Sequence, residues 1–314
     1  MISATLGADV IEAGGGADTV SGNDGNDTIR GEQGADSLSG GIVNDLFQFF
    51  GISDISGLAE TVDGGNDVDM LDFQSLAATG RVDLSLATLL NIENLNLLNN
   101  TVTLTAAQLG GFEAISGTGF YERVQISAAG LVDLTNAVIT GIDEVRGTSG
   151  ADTFIFAAAT GNILVTLLGG ADKVTGGDGN DAQLGGGGND TMDGGVGADW
   201  LNGQAGTDSL TGGVGADSFV FGDLTEMGTG AARDVITDFV HGQDILRLTL
   251  VDADLNTVGD QQFTYIAGAA FGLHAGELRY FGGIVSGDVD GDGVADFQIA
   301  VTGSPVLAVT DFQL

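Results

Sequence analysis

Aspartate recurs every nine residues in two runs, Asp9, Asp18, Asp27, Asp36, Asp45 and then Asp172, Asp181, Asp190, Asp199, Asp208, Asp217. Glycine stands two positions before each of them except Asp45, where Val43 replaces it. An apolar residue follows most of them by two positions: Ile11, Val20, Ile29, Leu38 and Phe47, later Val174, Met192, Leu201, Leu210 and Phe219. Asn-Gly and Gly-Asp pairs also mark ordinary hairpin turns, but turn chemistry alone holds no nine-residue phase. A unit of this kind places glycines in a turn that needs positive φ and one apolar residue in a short strand. Two units close one coil of about 18 residues. The expected fold is all-β: a parallel β-roll or β-helix solenoid of glycine-rich nonapeptide repeats with a C-terminal β cap.

Stacked coils bring aspartates of alternate units onto the same edge. Calcium takes six to eight oxygen ligands, more than one such loop offers, so a pair of loops is expected to share an ion. The pairs are Asp9 with Asp27, Asp18 with Asp36, Asp27 with Asp45, Asp172 with Asp190, Asp181 with Asp199, Asp190 with Asp208 and Asp199 with Asp217. That predicts about seven Ca2+ sites. Carbonyls of the glycine turns complete them: Gly14, Gly16, Gly22, Gly25, Gly31 and Gly34 in the first run. In the second run they are Gly170, Gly176, Gly177, Gly179, Gly185, Gly186, Gly188, Gly194, Gly195, Gly197, Gly203, Gly206, Gly212 and Gly215. Degenerate units add Asp69, where Asp67 takes the glycine position, and Asp152 at the restart of the phase.

Eight basic residues against 44 acidic ones give a formal charge of −36. Nucleic acid and anionic membrane surfaces do not attract such a chain. Without calcium the self-repulsion and the 55 glycines are expected to keep it open. Folding and metal binding are then one event. Cysteine is absent, which removes disulfides and thiol chemistry. The first residues show neither a basic n-region nor a long apolar h-region, and no apolar run is long enough to span a membrane as a helix.

Four segments follow. Residues 1–50 form the first array, 51–147 a degenerate repeat and a metal-poor β-helix-like segment, 148–221 the second array, and 222–314 a cap. In residues 81–146 alternating apolar patterns recur: RVDLS, NTVTLT and ERVQIS, and separately NIENL, GFEAI and GIDEV. These predict rungs of the same coil without metal, with a separate small β domain as the alternative. In the second array Gln183 occupies an apolar slot, which predicts a bulged or weakly packed strand. Trp200, beside the inward Leu201, is expected to face outward. In DVDGDGVAD, Asp288, Asp290, Asp292 and Asp296 alternate as in the first half of an EF-hand loop, but Ile299 stands where its closing glutamate belongs. A calcium site or a solvated turn both fit.

The repeat resembles the G-G-x-G-x-D-x-U-x nonapeptide of the RTX (repeats-in-toxin) class. From about residue 148 the chain also resembles the C-terminal domain of the serralysins, through DVITDF, GQDIL, GELRY and GDVDGDGVADFQI. That resemblance implies a further calcium at Asp234 and Asp244, so one or two sites in the cap. It also implies that Asp311, Phe312, Gln313 and Leu314 form the acidic-then-apolar tail of an uncleaved type I secretion substrate. The serralysin zinc helix is missing; His241 and His274 are expected to be structural.

With no nucleophile elbow or P-loop, the chain is not expected to be an enzyme. The leading expectation is a secreted, extracellular calcium-binding protein with a structural or adhesive role in a matrix or surface layer. Its expected partners are calcium ions, the type I secretion machinery, and further copies of itself or a matrix polysaccharide. One alternative is a membrane-active or signalling effector of the rhizobial nodulation type. Another is the noncatalytic C-terminal part of a larger secreted metalloprotease or epimerase.

Overall fold

A computed structural model describes residues 1–51, 54–55, 57–73, 80–119, 121–156, 161–303 and 305–314. The chain divides into two units, one holding residues 1–147, the other 148–156 and 162–314. Each is a parallel β-solenoid.

In the first unit the repeats lay down two parallel sheets. One takes Ile2–Ser3, Thr19–Asp24, Ser37–Ile42, Thr61–Gly65 and Thr88–Leu90; the other takes Val10–Glu12, Thr28–Arg30, Leu46–Phe49, Met70–Phe73, Asn94–Asn96, Ala114–Ser116 and Val138–Thr140. Val20 pairs with Leu38 and Ile29 with Phe47, so two nonapeptides make one coil. The next rung is wider: Leu38 meets Val62 and Phe47 meets Leu71. Beyond it the coil adds strands Gly80–Asp83, Asn100–Leu104, Arg123–Ile126 and Glu144–Arg146, with Val82, Val102, Val124 and Val145 in register. RVDLS, NTVTLT and ERVQIS therefore stack as their pattern predicts. GIDEV does not join NIENL and GFEAI. Leu95 pairs with Ile115, but Ile115 pairs with Ile139, and Val145 of GIDEV stacks on Val124 in the other sheet. The interval from Ile115 to Val145 is simply too long for one coil.

The second unit repeats the plan. Thr153–Ile155, Lys173–Thr175, Thr191–Asp193, Ser209–Thr211 and Asp234–Ile236 form one parallel run, and Leu164–Thr166, Ala182–Gly187, Trp200–Ala205, Ser218–Val220 and Ile245–Arg247 the other. The cap then closes both sheets. Phe297–Val301 pairs with Asp234–Ile236 and carries the antiparallel strands Ile284–Asp288 and Glu277–Phe281, while the tail strand Phe312–Gln313 pairs with Ile245–Arg247.

Alternate side chains of the strands point inward and are buried, including Val20, Ile29, Leu38, Phe47, Leu71, Val174, Met192, Leu201, Leu210 and Phe219, with a second in longer strands, such as Phe49 and Phe73. Each contributes about 1.5–3 kcal/mol by leaving water. Gln183 sits in this column, fully buried, and its strand is regular rather than bulged. Ala182, Gln183 and Leu184 pair in sequence with Trp200, Leu201 and Asn202. The amide is accommodated because Gln183 Nε2 donates to the Asp193 carbonyl 2.8 Å away. Trp200 faces outward, half-buried between Ala182 and Ser218.

Candidate metal centre

The backbone N–H of each aspartate donates to Oδ1 of the aspartate one coil later. Asp9 reaches Asp27 at 2.8 Å, Asp18 reaches Asp36 at 2.8 Å and Asp27 reaches Asp45 at 2.8 Å. In the second array Asp172 reaches Asp190, Asp181 reaches Asp199, Asp190 reaches Asp208 and Asp199 reaches Asp217, all between 2.8 and 2.9 Å. All seven pairs expected from spacing are therefore neighbours in space. The pairing uses one carboxylate oxygen. The other, Oδ2 of Asp27, Asp36, Asp45, Asp190, Asp199, Asp208 and Asp217, is buried and has no hydrogen-bond partner.

Those oxygens are aimed at bare glycine backbone. A Cβ on Gly22, Gly31, Gly185, Gly194, Gly203 or Gly212 would collide with Oδ2 of the aspartate five residues later. At Gly22, Gly176, Gly185 and Gly194 the same position also meets a carbonyl of the next rung, from Gly40, Gly194, Gly203 and Gly212 respectively. At Gly22, Gly185 and Gly194 carboxylate and carbonyl oxygens thus converge where no donor is present. Such a hard-oxygen set suits calcium rather than a softer metal. The second glycine column sets the turn itself. Gly16, Gly25, Gly34, Gly170, Gly179, Gly188, Gly197 and Gly215 have φ between 119° and 157°, and Gly34 and Gly188 lie so close to the Gly16 and Gly170 carbonyls that no side chain fits. Gly14, Gly186 and Gly195 also have positive φ, while Gly177 N–H donates to Asp181 Oδ2 at 3.4 Å and Gly206 stacks against the Gly188 carbonyl.

These carboxylates resist ionising. Burial, with like charge from neighbouring rungs, pushes Asp45, Asp69, Asp172, Asp199 and Asp208 up to about 6. Desolvation likewise raises Asp27, Asp36, Asp181, Asp190 and Asp217.

The ladder runs further than the nine-residue phase. Asp36 N–H donates to Glu60, Asp45 N–H to Asp69 and Asp69 N–H to Glu93. Glu60 Oε1, Asp69 Oδ2 and Asp172 Oδ2 are also buried without partners, and burial raises Glu60 to about 7. Spacing alone misses Glu60 and Glu93, because a rung of 24 residues breaks the count. The surviving signal is an acid two positions before an inward apolar residue: Glu60 before Val62, Glu93 before Leu95. Glu122 follows the same rule with a different outcome. Its carboxylate accepts N–H groups from Asn99, Gly119 and Tyr121. Burial pushes Glu122 up, but the Gly119 and Asn99 N–H groups outweigh it and hold it below the usual range. Here the protein supplies what the arrays lack.

Threonine closes the first rung of each array. Thr5 donates its N–H and hydroxyl to Asp9 Oδ2, and Thr148 does the same for Asp152 in the matching sequence T-x-G-A-D. In the cap, Asp234 Oδ1 accepts from Asp208 N–H, and burial raises Asp234 to about 7. Asp244 is satisfied on both oxygens, by Asp217 N–H and Val240 N–H. Oxygens of Asp288, Asp290 and Asp296 lie within 4.8 Å of one another. Asp292 is outside that group and accepts from Val294 N–H. His241 Nδ1 lies 2.7 Å from Asp311 Oδ2, tying the tail to the cap; His274 is exposed.

A family model of the RTX calcium-binding nonapeptide repeat matches four times, over residues 1–27, 12–47, 166–182 and 184–219. The chain carries RTX repeats. RTX repeats bind calcium, and the matched spans contain every unpartnered aspartate oxygen described above except that of Asp69. No curated protein matches the chain. No helix among the described residues is long and apolar enough to cross a membrane.

Proposed function

We propose that this is a secreted, calcium-folded protein with a structural or adhesive role in an extracellular matrix or surface layer. The buried, unpartnered Oδ2 atoms carry the calcium part of this reading. Only 8 basic side chains stand against 44 acidic ones, and none of them hydrogen-bonds these oxygens, so the compensating charge has to come from outside. On this reading each of the seven aspartate pairs holds one calcium, through Oδ2 of the later aspartate and carbonyls of the glycine turns. Asp69, Asp172 and Glu60 extend the columns, whereas Asp9 and Asp152, closed by threonine, begin them. Asp288, Asp290 and Asp296 offer oxygens for one more ion in the cap.

Calcium at extracellular, millimolar levels would close the roll, and the low cytosolic level would leave it open. The tail fits type I export in this order of events. Asp311 is fully buried and Phe312–Gln313 is a sheet strand, so export machinery could engage this segment only before folding.

Light scattering after gel filtration, with and without millimolar calcium, tests the role. A matrix or surface-layer component grows in mass as calcium is added. A particle that stays monomeric at every protein concentration contradicts the assembly role and leaves calcium folding intact.

A further inference from the structure

We propose that Arg279, held between Phe271 and Phe281, is a carboxylate-binding site for an acidic polysaccharide. The guanidinium lies 5.4 Å from the Phe271 ring centroid and 5.5 Å from that of Phe281. Arg279 and Phe281 share one face of strand Glu277–Phe281, and Phe271 comes from the loop before it. Stacking on two rings fixes the plane of the cation and leaves its N–H edge free.

What singles out this arginine is a guanidinium that has no oxygen partner and is not shut off from solvent. Arg30 and Arg123 pair with Glu12 and Glu144, and Arg81, Arg233 and Arg247 donate to glutamine oxygens. Arg146 also has no such partner, but its Nε is shut off from solvent. The Arg279 guanidinium makes no hydrogen bond or ion pair among the described residues. Even Glu277, on the same strand face, turns its carboxylate to the Gly272 N–H instead.

The surroundings fit a sugar acid. Phe281 is 64% exposed, so one ring edge and face remain open beside the cation. The neighbouring Gly268, Ala269 and Ala270 are exposed and small, and Gly268 lies beside the Phe281 ring. A planar guanidinium takes a carboxylate through two parallel N–H bonds. In a uronate the carboxylate is fixed to a ring whose C–H face can lie on Phe281, a rigid match that a carboxylate on a flexible peptide stem does not offer. The charge of −36 opposes any anionic polymer and about seven calcium ions offset only part of it, so binding is expected in the calcium-loaded form with salt screening the remainder.

Calorimetry on the full chain in millimolar calcium tests this, with a short oligogalacturonate and its methyl ester as probes. The acid form binds and the ester does not. Arg279→Gln and Arg279→Lys each weaken binding by on the order of tenfold, because lysine keeps the charge but loses the planar fork. Phe281→Ala weakens it as well. Unchanged binding by Arg279→Gln, equal binding of the ester, or no binding of either probe overturns the proposal. Tighter Arg279-dependent binding of polyglutamate overturns the polysaccharide assignment. Calcium-induced compaction, measured on the same samples, shows whether a loss reflects this site or a failure of calcium folding.

Discussion

A buried oxygen without a donor is costly wherever it occurs, typically about 1–3 kcal/mol and more when charged. Here it is repeated along two columns, which makes the glycines opposite it as demanding as the aspartates. Gly185→Ala places a methyl against Asp190 Oδ2 and the Gly203 carbonyl, without any change in the sign of φ. The expected loss is about 1–3 kcal/mol in calcium, read by urea unfolding. Val43 presents the opposite case. It replaces a turn glycine yet keeps φ at 75°, a strained value for a β-branched side chain, and Asp67 does the same at 78°. Val43→Gly is therefore expected to stabilise by about 1 kcal/mol, the relief of strain exceeding the added chain entropy. The aspartate pairs were legible from spacing because the spacing is the coil length. Glu60 was not, since the longer rung removed the count and glutamate removed the residue type, leaving only its place before Val62.

At the level of the strand, alternate inward residues carry the core, so the strands are readable where those residues are apolar. Gln183 misled the reading toward a bulge, because local chemistry disfavours an amide in the column. The opposite strand resolves it by offering the Asp193 carbonyl, a contact between residues ten apart in sequence that periodicity cannot foresee. Gln183 Oε1 nevertheless stays buried without a partner, and the Asp193 carbonyl also accepts Gly176 N–H. Gln183→Leu is accordingly expected to stabilise by about 1 kcal/mol in thermal unfolding with calcium present. A destabilised variant would mean that the amide contact outweighs the unpaired oxygen. GIDEV lies on a different sheet from NIENL and GFEAI for a different reason. In a three-stranded coil, identical D/E-x-apolar signals occur on more than one sheet, and only coil length separates them.

For the whole molecule, protons and calcium act on the same carboxylates. Folded-state values near 6 for Asp45, Asp69, Asp172, Asp199 and Asp208, against the usual 3.8, mean that the calcium-free fold binds more protons than the unfolded chain in that interval. Its stability is therefore greatest at acid pH and is lost as pH rises through about 6. Asp311 works the other way. Burial pushes it up, but the Ala308 and Gly242 N–H groups and His241 hold it low, so its contribution is lost only on further acidification. In chelator, the protein should compact as pH falls from neutral toward 5, as followed by small-angle scattering. No compaction there would show that these carboxylates do not control the calcium-free fold.

The central claim is that calcium completes the two columns and that the fold depends on it. Chelator-treated protein titrated with calcium at neutral pH, with hydrodynamic radius and bound calcium recorded together, tests it most directly. The account predicts an expanded chain that collapses cooperatively as several ions bind, with about seven bound at saturation in the arrays. A chain equally compact in chelator and in calcium, or one that collapses while binding a single ion, would contradict it.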